Sequence, residues 1–296
     1  MTQPPIAVPV CYRHPSRETY VRCARCDRPI CPDCMHEASV GHQCPECVAT
    51  GRRSQRPART TFGGGTSGAR GYVTIGLIVV NCLVALAAAL SAGTSGALFG
   101  QGMAGLLGGS TPLHTRGALY TPLIANGQYY RLVTSMFLHY GLLHLAMNMW
   151  ALWVLGRLLE TVLGPLRFLV LYLLAGFGGS VAVYLFANPH AATVGASGAI
   201  FGLFGGLFVI LRRLGRNASS ILPVLLINLV ITFTVPGISI EGHLGGLVTG
   251  ALVAVGMAYA PPQWRTKVQV AVATAVGVIL VLATVARTAM IAGGVA

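Results

Sequence analysis

Beyond residue 71 the chain is a run of seven apolar stretches, at about 72–92, 139–159, 165–187, 196–212, 219–235, 241–260 and 268–291. Each is near the roughly 20 residues that a helix needs to cross hydrocarbon. Inside a bilayer no water satisfies backbone N–H and C=O groups, so segments of this kind must satisfy them internally as helices. The pattern predicts an all-α polytopic membrane protein. Composition agrees, because only 9% of the residues are charged, against roughly 25% in an average soluble domain. The net charge of +13 raises a nucleic-acid partner, but the basic residues fall in turns between apolar stretches and in the run Arg52, Arg53, Arg56, Arg59 and Arg70. That distribution suits the inner surface of a lipid bilayer. No nucleic acid is expected.

Residues 1–50 are polar and cysteine-rich with no signal peptide, so the N-terminus is expected in the cytosol. The turns after the second, fourth and sixth stretches are then cytosolic. They carry Arg167, then Arg212, Arg213 and Arg216, then Arg265 and Lys267, as the excess of cationic residues in cytoplasmic loops requires. The C-terminus is expected outside the cell membrane. The outer segment 93–138 is too long for a simple connection. With Leu98-Phe99, Leu106-Leu107 and Tyr129-Tyr130-Arg131 it is expected to lie partly in the interface, its tyrosines and arginine anchoring rather than catalysing. Four parts are expected: a cytosolic module over 1–50, a basic flexible linker over 51–71, a six-span core over 72–260, and a seventh span within 261–296.

Seven of the eight cysteines crowd into the first module, in the pairs Cys11-x-x-His14, Cys23-x-x-Cys26, Cys31-x-x-Cys34 and Cys44-x-x-Cys47. Two intervening residues let the chain turn around one ion, and thiolate and imidazole suit the borderline softness of zinc. Four pairs supply two tetrahedral sites. The spacing leaves their pairing open, and His36 or His42 could replace any one ligand. A disulfide scaffold would need an oxidising compartment, and seven cysteines cannot all pair. The module resembles B-box-type and related cross-brace zinc modules. Two structural Zn2+ ions are expected, since so small a core needs a staple, with a cytosolic protein as the module's candidate partner.

In the membrane part the motif Gly-x-Ser-Gly occurs around Ser67, Ser95 and Ser197. Topology separates them: Ser67 falls in the linker, Ser95 at the loose end of the first stretch, and Ser197 at the outer start of the fourth. The sixth stretch also starts outside and carries His243. The second starts there too, with His144 and Asn148 four residues apart and so on one helical face. Polar groups are costly within spans and are functional suspects by default. Gly198, Gly202 and Gly206 make one small-residue ridge and Gly242, Gly246 and Gly250 another; such ridges let helices approach closely. No aspartate follows Asp33 and no His-Glu-x-x-His occurs, which excludes a membrane aspartyl pair and that zinc protease site. Glu241 lies off the face of His243, so a Ser-His dyad is expected rather than a triad. Pro236-Gly237 ends the fifth stretch, and the loop after it is a candidate lid.

The motifs His144-Leu-Ala-Met-Asn148, Gly195-Ala-Ser197-Gly198 and Gly242-His243-Leu-Gly-Gly246-Leu-Val-Thr-Gly250 agree in order, spacing and membrane side. Over about residues 72–260 the chain resembles the rhomboid intramembrane serine proteases. The family's first-loop pair, usually Trp-Arg, reads Tyr130-Arg131 here. The resemblance implies a rhomboid-like six-helix core, to which this chain adds a seventh transmembrane helix and the zinc-binding module. It implies Ser197 as nucleophile, His243 as base, His144 and Asn148 at the oxyanion, no catalytic cofactor, and transmembrane proteins in the lipid bilayer as substrates. The alternatives are an inactive relative that escorts membrane proteins, a transporter, and an adaptor in which the zinc module recruits a partner. The halves show no repeat of the transporter kind, and an anchor alone does not need these four residues at one level.

Overall fold

A computed structural model describes residues 8–55, 58–66, 71–91 and 109–294. The expectations for Ser67, Ser95, Leu98-Phe99 and Leu106-Leu107 lie outside the described residues. The chain divides between Ala58 and Arg59 into two units.

In the first unit, β1 (Val10–Cys11) pairs antiparallel with β2 (His14–Glu18), and β3 (His36–Glu37) with β4 (His42–Gln43). Helix α1 (Pro45–Ser54) follows, with Cys44 as its N-cap and Pro45 in its first turn. The buried core of this unit is Ile30 together with Cys11, Cys23, Cys31, Cys34 and Cys44. One aliphatic side chain cannot hold such a unit together by burial alone, so the cysteines carry the fold.

The second unit is helical: α2 (Tyr72–Ser91), three short helices α3 (Pro112–Gly117), α4 (Thr121–Ala125) and α5 (Arg131–Thr134), then α6 (Gly141–Leu163), α7 (Pro165–Phe186), α8 (Ser197–Arg213), α9 (Leu222–Thr234), α10 (Ile240–Ala258) and α11 (Arg265–Ala292). The seven longer helices match the seven apolar stretches. Five of them, α2, α6, α7, α10 and α11, are long and apolar enough to cross a membrane. Helix α9 is the shortest of the seven and shorter than the expected 219–235: its 13 residues span about 20 Å at 1.5 Å per residue. It is shortened because Asn217 Oδ1 accepts the Ser219 N–H (2.9 Å) and starts a separate 3-10 turn over Ala218–Ile221. At its other end Pro236 and Gly237, the latter at φ 85°, forbid continuation.

Helices α7, α8 and α10 make the centre. Phe168, Tyr172, Leu203 and Ala254 are fully buried there. The two glycine ridges interlock: a Cβ on Gly202 would lie 2.8 Å from Gly246 O, and one on Gly198 3.1 Å from Gly242 O. With no side chain between them the backbones touch, and dispersion replaces a hydrophobic driving force that lipid cannot supply. Helix α2 lies outside this centre, and its start is fixed by Glu160 of α6. That carboxylate is fully buried and accepts from Val73 N (3.0 Å), Thr74 N (2.8 Å) and Thr74 Oγ1 (2.8 Å), a negative charge at a helix N-terminus. Helix α11 docks through Tyr184 Oη to Thr288 Oγ1 (2.8 Å) and Gln269 Nε2 to Met257 O (2.9 Å).

Within the range 51–71, expected as a flexible linker, residues 51–54 belong to α1 and 59–66 to the second unit. Arg52 and Arg53 close α1. Residues 59–66 form a turn in the second unit, with Phe62 buried and its carbonyl accepting from Gln269 Nε2 at 3.1 Å. Gly64 packs against the backbone at Leu163 with no room for a side chain, so the glycines here serve close packing as well as freedom of the chain.

The segment before α6 is a folded cap. Leu119, Ile124 and Leu132 pack with Val183 and Tyr184 of α7. Arg131 is buried at its centre, donating to Thr115 O (3.0 Å), Ala118 O (2.8 Å) and Gln128 Oε1 (2.8 Å). An anchoring role for this arginine, rather than a reactive one, is what these carbonyl partners support.

Candidate active site

Ser197 is the first residue of α8, and the chain leading to it is held extended. Leu119 and Thr193 exchange both backbone hydrogen bonds at 3.0 Å, and Gly195 N donates to Ser135 O at 2.9 Å. Gly195 has φ 134°. A Cβ there would stand 3.0 Å from Cε1 and Nε2 of His144 and 3.5 Å from Ser197 Oγ. Histidine and serine therefore face one α-carbon, and only glycine leaves them that space. The first helical bond returns from Ile200 N to Ala196 O (3.1 Å). The N–H groups of Ser197, Gly198 and Ala199 accordingly have no acceptor within the helix, as in any first turn, and stand ready for an anion.

His243 lies in the first turn of α10, where Ser239 Oγ caps the helix by accepting from Gly242 N at 3.1 Å. Its ring stacks on Phe201 of α8, with centroids 4.1 Å apart and planes at 15°. From α9, Thr232 Oγ1 comes within 2.7 Å of Nδ1. The same hydroxyl donates to Asn228 O at 2.7 Å. A threonine has one hydroxyl proton, so its oxygen accepts from Nδ1–H, and Nε2 is left with its lone pair free. Among the described residues no carboxylate contacts the ring; Glu241 bonds Ser239 Oγ instead (3.4 Å).

Asn148 is buried one turn below His144 and donates one amide hydrogen to His144 O at 2.8 Å. The other is left for a ligand. Ser197, His243, His144 and Asn148 all line one cavity of about 970 Å3, whose walls are the apolar faces of α6 and α9. The four residues singled out from the sequence thus share one chamber.

Several neighbours were not visible in the sequence. Thr232 and Phe201 belong to apolar helices in which neither stands out, and only the three-dimensional approach to His243 marks them. His139 is buried, with its ring 5.0 Å from that of His144 in an edge-on arrangement. Behind it, buried His114 reaches His139 O through Nε2 (3.0 Å) and stacks on Tyr140. Burial lowers the His114 pKa, and its Nδ1 accepts from Thr111 N (3.2 Å), so the neutral ring carries its proton on Nε2. The signal that could have found them is the concentration of histidines at 114, 139 and 144, ahead of α6 and in its first turn.

The first unit offers two metal-ligating tetrads, Cys11, His14, Cys31 and Cys34, and Cys23, Cys26, Cys44 and Cys47, each with ligand atoms within 4.8 Å of one another. The first and third pairs join, as do the second and fourth, which is the cross-brace arrangement. His36 and His42 belong to neither tetrad. Tetrahedral zinc with Zn–S of about 2.3 Å and Zn–N of about 2.0 Å has edges of about 3.8 Å between sulfurs and about 3.5 Å between nitrogen and sulfur. His14 Nδ1 lies 3.8, 3.3 and 3.5 Å from the sulfurs of Cys11, Cys31 and Cys34, and Cys26 Sγ lies 3.7 Å from Cys44 Sγ. The donor sets fit the ion.

Fold and site together define a helical membrane protein that gathers a serine, two histidines and an asparagine at one end of its bundle. Comparison with known proteins gives the family. The Rhomboid domain profile matches residues 126–260. Rhomboid protease GluP of Bacillus subtilis is 42% identical over 161 residues, 51% of this chain and 31% of GluP. The rhomboid YdcA of the same organism is 38% identical over 135 residues, 44% of this chain and 68% of YdcA. RHOMBOID-like protein 6, mitochondrial, of Arabidopsis thaliana is 36% identical over 149 residues, 48% of each chain. The chain belongs to the rhomboid family, and it spans about a third to two thirds of the length of these relatives.

Proposed function

We propose that the chain is an intramembrane serine endopeptidase, cleaving the membrane-spanning segments of other proteins with Ser197 as nucleophile and His243 as general base. The observation that carries this reading is the Thr232 hydrogen bond: with Nδ1–H committed to it, Nε2 is the basic nitrogen, and His243 and Ser197 line one chamber. His243 Nε2 takes the Ser197 proton as Oγ attacks the scissile carbonyl. The C–N bond breaks as the same nitrogen protonates the leaving amine. Water then adds to the acyl carbon, giving its proton to His243, and Oγ departs with that proton. The oxyanion is met by the Ser197 N–H, the free amide hydrogen of Asn148 and His144, each such donor being worth about 3 kcal/mol in the transition state.

Met147 and Val154 of α6 and Ile227 and Ile231 of α9 line the same chamber, so a substrate helix arrives from lipid between these two helices. Arg167, Arg212, Arg213, Arg265 and Lys267 stand at or beyond the helix ends remote from Ser197. By the distribution of positive charge that end is cytosolic, with the first unit, and the catalytic end faces outward. The two tetrads would hold zinc, which when bound would supply structure to the first unit.

Purified protein in vesicles with a single-span substrate tests the proposal. Wild type is expected to cleave, Ser197→Ala and His243→Ala to be inert though folded, and Asn148→Ala to lose about 10²- to 10³-fold. An inert wild type would leave the binding and escort reading in its place, and variants that cut at its rate would end the assignment of Ser197 and His243 as the dyad.

A further inference from the structure

At the end of the bundle opposite Ser197, three guanidinium groups converge on one glycine. Arg59 Nη1 donates to Gly63 O at 3.2 Å. A Cβ on Gly63 would stand 3.0 Å from Arg265 Cδ, 3.6 Å from Arg265 Nη1 and 3.8 Å from Arg167 Nη2. Arg59, Gly63, Trp264, Arg265, Thr266 and Lys267 line a cavity of about 340 Å3. Like charges held this close repel, and their protein acceptors are neutral: Arg265 donates to Thr61 O (3.1 Å) and Arg167 to Gln269 Oε1 (2.8 Å). Between residues 59 and 294 the sequence holds two carboxylates, Glu160 and Glu241. Glu160 is committed to the start of α2, and Glu241 stands at the Ser197 end. Among the described residues of this unit the cluster has no acidic side chain to neutralise it, and each guanidinium has donors to spare.

We propose that this cavity binds a phosphate group, gripped by Arg59, Arg265 and Lys267 with Arg167 behind them. Guanidinium forks match the paired oxygens of a phosphate. The first-turn N–H groups of the 28-residue α11 add donors on the same side. Trp264, stacked on Lys267 Nζ at 4.8 Å, is of the residue type that settles at headgroup level. The chemistry is common to an anionic phospholipid and to free phosphate. Bound there, the group ties the 59–66 turn and the α6–α7 corner to the start of α11, and so secures the seventh helix to the core.

The test uses the full chain in neutral detergent, titrated separately with phosphatidylglycerol, phosphatidylcholine and inorganic phosphate, and reads binding by native mass spectrometry and the unfolding midpoint. Phosphatidylglycerol is expected to bind and raise the midpoint where phosphatidylcholine does not. Its affinity is expected to fall about fivefold for each cation removed, in Lys267→Gln and further in Arg59→Gln/Arg265→Gln, while Arg216→Gln, outside the cluster, binds like wild type. Inorganic phosphate binding with the same arginine dependence, and no gain from the lipid, would assign the site to soluble phosphate. Equal binding by wild type and Lys267→Gln, equal binding of the two lipids, or binding of none of the three would overturn the proposal. Lys267→Gln leaves the packed arginines in place and serves if the double variant does not fold.

Discussion

Helices α9 and α10 are consecutive in the chain, α10 carrying His243 and α9 touching its ring through Thr232, yet they are held by opposite means. Helix α10 is pressed backbone to backbone on α8, with Gly246 and Gly250 admitting no side chain against Gly198 and Gly202. Helix α9 buries a single residue, Thr232, and leaves Leu226, Ile227, Val230 and Phe233 exposed. The contrast separates two requirements. Groups that must meet within hydrogen-bond reach sit on the tightly packed pair, because sub-ångström placement needs a close-packed frame. On the proposed function, the wall that admits a substrate is the weakly packed helix, and its one buried hydroxyl orients the proposed base.

Adding a side chain to the packed pair is expected to have the largest effect. Gly246→Val would drive atoms into the Gly198 carbonyl, and since overpacking costs about 1–3 kcal/mol or more, loss of both the folded state and cleavage is expected. Ile227→Ala on the exposed face of α9 should leave the unfolding midpoint within about a degree of wild type, because surface changes stay within about 0.5 kcal/mol. Equal midpoints for both variants would break the comparison. An intermediate effect is expected for Thr232→Val, which removes the Nδ1 acceptor but keeps the shape: kcat falls about tenfold, the scale of one hydrogen bond, KM holds, and Thr232→Ser recovers most of the loss. A change in KM alone would make Thr232 part of the substrate path instead. Smallest is the expected effect of chelation on the membrane unit. Removing metal should unfold residues 8–55 by circular dichroism and leave cleavage by the second unit unchanged; coupled loss would show that the first unit controls it.

The seven helices and the four candidate residues that line one chamber were legible because each has a one-dimensional signature. Apolar length marks a span, and Ser197, His144, Asn148 and His243 are polar residues at the same depth. The zinc tetrads were legible as pairs, but which pair joins which depends on a fold that spacing does not encode. Thr232 and Phe201 left no trace, since a threonine or phenylalanine in an apolar helix is ordinary until a histidine from another helix packs against it. In the expected linker the glycine run reads as freedom of the chain, while Gly64 serves close approach to Leu163. Helix α9 came out shorter than expected because a 3-10 turn and a helix carry the same apolar composition.

The central claim is that Ser197 is made nucleophilic by His243 across the tightly packed pair. Its most direct measurement is labelling of the full chain in membranes with a fluorophosphonate, followed by mass mapping of the adduct. The account predicts one adduct, on Ser197, lost in His243→Ala while that variant keeps its wild-type unfolding midpoint. An adduct on another serine, or undiminished labelling of Ser197 in folded His243→Ala, would contradict it.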